Sequence, residues 1–88
     1  MTKRQRQARI RQVRDEFLGR LRQRFPLVEL VSTEEQPSGT TIFRIYAPYE
    51  DLLGLIDTNA DRIAELAGEE DLHVMILPVS EKPSERAA

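Results

Sequence analysis

Apolar positions in the first 25 residues recur with the period of a helix. Ile10, Val13, Phe17 and Leu21 are spaced three, four and four apart, and Leu18 and Phe25 widen the stripe. The spacing predicts a helix over about residues 5–24, stopped by Pro26, which disfavours helical geometry at Phe25. Residues 27–33 are β-branched and apolar enough to form a strand. Glu34-Glu35-Gln36-Pro37-Ser38-Gly39 is a polar turn, and Thr40 to Tyr46 is the densest run of β-formers in the chain. Together these predict a β-hairpin.

A second helix follows. Pro48, Glu50 and Asp51 mark its start, and Leu52, Leu55, Ile56, Ala60, Ile63, Leu66 and Ala67 share one arc. Gly68 is the expected C-terminal stop. Gly54 and Asp57-Thr58-Asn59 are weak helix formers, but the apolar register crosses them, which favours one continuous helix. Leu72 to Val79 is the last strand. The ordered core is expected over about residues 8–79 of a single domain spanning 1–88, with a flexible basic start (1–7) and a flexible polar tail (80–88).

The order α-β-β-α-β defines an α+β class, a two-layer sandwich of three mixed strands with both helices on one face. A split β-α-β crossover predicts the strand order 2-1-3. The uncovered sheet face then becomes informative. The second strand alternates Thr41, Phe43 and Ile45, suited to the core, against Ile42, Arg44 and Tyr46. The last strand is apolar on both sides, with Met75 and Leu77 opposite Val74 and Ile76. Strands apolar on both sides normally have both faces covered. Ile42, Arg44, Tyr46, Met75 and Leu77 are therefore the expected protein interface, with Leu27 as a further apolar member and Glu29 as a polar neighbour. The competing explanation is an ordinary surface, which also carries many apolar atoms.

Size sharpens this picture. With its ends set aside as tails, the 88-residue chain leaves a core-forming segment of roughly 70 residues, and a domain that small buries only about 60% of the surface of its unfolded chain, so it leans on extra support. Disulfides and thiolate metal sites are excluded by the absence of cysteine, which leaves a second copy or another protein.

Charge adds a second candidate. Residues 1–25 hold nine of the thirteen Lys and Arg with two acids, a net +7, while residues 26–88 carry −9. Eleven of the thirteen bases are arginine, whose planar fork suits phosphate. Lys3, Arg4, Arg6 and Arg9 sit where the helix dipole disfavours positive charge, so helix stability does not explain them. Arg4, Arg6, Arg9 and Arg11 are the candidate contacts to a nucleic-acid backbone. Two plainer explanations compete: pairing with the acidic body of the protein, or a solvated face.

Catalytic and metal chemistry have little to build on. Asp57-x-Asn59-x-Asp61 opens like an EF-hand loop, but Arg62 replaces the required glycine and Gly68 the bidentate glutamate. His73 has no nucleophile or glycine-rich setting near it in sequence, and the four glycines are isolated. The element order also occurs in RNA-binding KH-type domains, whose Gly-x-x-Gly clamp is absent. No run approaches the ~20 apolar residues of a membrane span, and no signal peptide is legible. The expectation is a cytoplasmic, non-catalytic interaction domain without cofactor or metal, paired with itself or another protein; the alternative is nucleic-acid binding through the first helix.

Overall fold

The computed structural model describes residues 2–82; the tail beyond Lys82, expected to be flexible, lies outside the described residues. Helix α1 spans Lys3–Arg24, strand β1 Glu29–Glu35 and strand β2 Thr41–Tyr46. A 3-10 turn over Tyr49–Asp51 leads into helix α2, Leu52–Glu70, and strand β3 is Val74–Val79.

Helix α1 begins two residues earlier than the expected start near residue 5, because Thr2 and Gln5 form a reciprocal capping box that satisfies backbone donors at its N-terminus. Helix α2 runs past Gly68 to Glu70. There Asp71 adopts a left-handed conformation (φ 52°), and the N–H groups of Asp71 and Leu72 both donate to the Leu66 carbonyl. Asp tolerates that conformation, and burial of Leu72 just beyond it decides where the helix ends. Gly54, a weak helix former, sits where the Phe25 ring approaches: a Cβ there would lie 2.5 Å from the ring tip.

The sheet order is β1-β2-β3, with β1 antiparallel and β3 parallel to β2. This corrects the expected order 2-1-3. The central place goes to the strand that can be buried: Phe43 and Ile45 of β2 are fully enclosed. β1 carries Glu29, Glu34 and Glu35 and a bulge between Leu30 and Ser32, and charges and bulges belong on an edge. The connection through α2 then joins neighbouring parallel strands directly, rather than skipping one.

Both helices pack on one face. Val13, Phe17 and Leu21 of α1 and Leu55 and Leu66 of α2 enclose Phe43, Ile45, Val74 and Ile76 in a single core. Phe17 meets Phe43 edge-on, with ring centroids 6.1 Å apart. Phe17→Ala, which empties the centre of that core, is expected to cost about 3–5 kcal/mol in urea denaturation. Tyr49→Ala, at a ring left 81% exposed, is expected to stay within about 0.5 kcal/mol.

Candidate functional site

Register settles which predicted interface residues meet. Ile42 is the partner of Met75 and Arg44 the partner of Leu77, so both pairs lie side by side on the sheet face away from the helices. Tyr46 ends the same side of β2. Their exposure divides them. Met75 is 54% and Leu77 39% exposed, whereas Ile42 and Arg44 are half-buried and Tyr46 is buried, its ring under the Lys82 ammonium. Arg44 Nε lies 3.0 Å from Glu34 Oε1, a cross-strand ion pair that occupies the β1 side of the face. The open face is thus polar and self-paired toward β1 and apolar toward β3. Leu27, 63% exposed, precedes β1; Val28 after it turns into the core.

A surface that the sequence pattern does not isolate continues this apolar region. Leu53, Ile56 and Ala60 of α2 are exposed, and Ile56, Ala60 and Ile63 line one shallow depression with Met75 and Ile76 of β3. In sequence these residues merge with the arc that faces the core. The signal was its width: Leu53 beside Leu52, and Ile56 beside Leu55, are more apolar flank than contact with one sheet requires.

The arginines divide as well. Arg6 pairs with Glu35 and donates to the Gly39 carbonyl. Arg9 forms a fork to Glu70, with Nε 2.9 Å and a terminal nitrogen 2.7 Å from the two carboxylate oxygens. In the opposite sense, Arg62 of α2 reaches Glu16 of α1 at 2.9 Å. Arg20 lies 3.5 Å from Asn59 Oδ1, and Arg24 3.4 Å from the Thr58 hydroxyl. Numbers that rise along α1 fall along α2, so the helices are antiparallel and laced by polar contacts. The positive helix and acidic body pair within the fold. Arg4 and Arg11 are exposed, on the flank away from α2. Two of the four predicted nucleic-acid contacts are therefore engaged in ion pairs.

The hydrogen bond from Arg9 holds the Glu70 carboxylate below its ordinary value of 4.5, and the same bond raises the Arg9 guanidinium. Arg62 is raised chiefly by its hydrogen bond to Glu16.

His73 lies exposed at the start of β3, its Nε2 3.0 Å from Oδ1 of the exposed Asp71. Asp57, Asn59 and Asp61 do not converge: Asn59 is enclosed in the core while Asp57 and Asp61 face outward. Among the described residues, no group of three or more His, Cys, Asp or Glu is placed to hold a metal ion. No helix among them is long and apolar enough to cross a membrane.

These features define a small α+β domain with a one-sided helical layer, an ion-paired helix seam and an apolar region around β3. The chain matches no family model, no curated protein and no solved structure.

Because Glu70 is more acidic when folded, its pairing with Arg9 stabilises the fold above the ordinary carboxylate range. That contribution is lost as pH falls through the lowered value. Glu70→Gln removes it at every pH. Urea midpoints at neutral and strongly acidic pH are therefore expected to differ less in the variant than in the unaltered protein.

Proposed function

We propose that this chain is a non-catalytic interaction domain that associates with itself, with Met75 and Leu77 at the centre of the contact and Ile42, Arg44 and Tyr46 bordering it. The observation that carries the reading is the placement of exposed large apolar side chains. Met75, Leu77 and Ile56 gather around β3, while the β1 side of the sheet and the seam between the helices are occupied by internal ion pairs. Apolar groups concentrated at one edge of a small domain are the pattern of an association surface. Such support also suits a chain too short to build a large core of its own.

Nucleic-acid binding is the weaker reading, since Arg6 and Arg9 spend their charge on Glu35 and Glu70. Of the four arginines singled out at the start of the helix, only Arg4 and Arg11 are left for phosphate, which weakens the cluster the reading depends on.

Leu77→Asp places a charge in the proposed contact at a position 39% exposed in the single chain, so folding is expected to survive. Analytical ultracentrifugation of the unaltered protein is expected to show a dimer. The variant is expected to dissociate roughly 100-fold more readily, the equivalent of about 2.7 kcal/mol, with its circular dichroism unchanged. An unaltered protein that stays monomeric at about millimolar concentration removes the reading.

A further inference from the structure

The free edge of β3 narrows how two copies can meet. In the parallel ladder Thr41 N–H donates to the His73 carbonyl and Ala47 N–H to the Val79 carbonyl. Odd-numbered residues of β3 thus turn their backbone toward β2, and Val74, Ile76 and Pro78 turn theirs outward. Pro78 has no N–H to offer and presents ring carbons instead. At the other end, the Leu72 N–H is already given to Leu66. The usable edge is therefore short, with Val74 and Ile76 placed symmetrically about Met75.

An antiparallel strand pair about a two-fold axis needs just such an arrangement. With the axis at Met75, the N–H of Val74 donates to the carbonyl of Ile76 in the second copy, and Ile76 to Val74. All four bonds form and Pro78 lies outside the ladder. Moving the axis to Ile76 would set Pro78 against Val74, with a ring where a donor is required.

The helix layer permits the same axis. Leu53, Ile56, Ala60, Ala64 and Ala67 follow one another at spacings of three, four, four and three, an uncharged stripe whose midpoint is Ala60. Ala60 lines the same depression as Met75, so the centre of the stripe and the centre of the edge stand at one height. Alanines at 60, 64 and 67 let a second helix come close. Two α2 helices related by this axis run antiparallel, so the positive end of each dipole lies beside the negative end of the other. The flank is about 28 Å long, from the 19 residues of α2. The smallest extent of the molecule, 20 Å, serves as a lower bound on its depth. The product, on the order of 500–600 Å² per copy or about 1,100 Å² in the pair, clears the ~1,000 Å² expected of a biological interface and sits just under the ~1,200 Å² of standard stable pairs.

We propose that two copies of the chain associate about a two-fold axis through Met75, joining β3 to β3 and α2 to α2, so that one six-stranded sheet runs through the pair. This rests on the self-association reading above and replaces stacking of the open faces with an edge-to-edge contact. Met75 and Leu77 line the seam where the open faces join, and Leu77 of each copy comes beside His73 of the other.

The chain contains no cysteine, so introduced thiols report the geometry directly. Across the axis the Cα atoms of residue 75 stand about 4.5 Å apart, within the ~4.4–6.8 Å span of a disulfide. Met75→Cys in the full chain, mildly oxidised, is expected to give a covalent dimer at least about tenfold faster than Ile42→Cys or Leu27→Cys, which are off the axis. Ala60→Glu, at an exposed helix position, is expected to weaken the dimer by at least about tenfold while circular dichroism is unchanged. Preferential crosslinking of Ile42→Cys, or undiminished dimerisation of Ala60→Glu, in a protein that is dimeric by ultracentrifugation overturns the edge geometry and leaves self-association standing. A monomeric unaltered protein overturns both.

Discussion

The packing of α1 across β2, centred on Phe17 against Phe43, is the contact on which the rest of the structure depends. β2 pairs with β1 on one side and β3 on the other, so its register positions every residue on the open face. The stripe of α1 covers β2 from above and leaves room beside it for α2, whose Leu55 and Leu66 complete the enclosure. Because the layer of helices is one-sided, the sheet keeps one face and two edges in contact with solvent. Those surfaces had to be managed by their composition.

The two edges are managed differently. β1 bears acids and a bulge, and Glu34 reaches across to Arg44, so its margin is charged and irregular, an arrangement that discourages pairing with another strand. β3 has apolar side chains on both sides and is blunted only at one end, by Pro78. The contrast gives the domain a direction: charged and irregular at one margin, apolar at the other. In the proposed self-association, a single edge limited in length by proline favours a closed pair over an open chain of subunits.

Charge asymmetry, the most unusual property of the sequence, has its structural account in the seam between the helices. Arg9 with Glu70 and Arg62 with Glu16 exchange partners between a basic helix and an acidic one, and Arg6 with Glu35 ties the same helix to the hairpin. Such part-exposed pairs add little stability singly. As a set they lace the two antiparallel helices along their length beside the packed core. Asn59, enclosed among apolar side chains, accepts from Arg20 at the same seam.

Local chemistry was enough to determine the elements. The three-four spacing of Ile10 to Leu21 and the β-dense run to Tyr46 act over a few residues and the structure follows them closely, whereas β1 lies two residues later than expected, taking in Glu34 and Glu35 so that only Gln36 to Gly39 form the turn. The placing of Ile42, Arg44, Met75 and Leu77 on one face also follows from strand alternation once β2 and β3 run parallel. Other features depended on contacts distant in sequence. Strand order turned on which strands suited an edge, and β1, with its acids and bulge, took one. The end of α2 was decided by the docking of Leu72, not by Gly68. The engagement of Arg6 and Arg9, and the outward turn of Leu53, Ile56 and Ala60, required knowing which face of each helix meets a neighbour. Periodicity marks that a helix has an apolar side, but only packing decides how much of that side is covered.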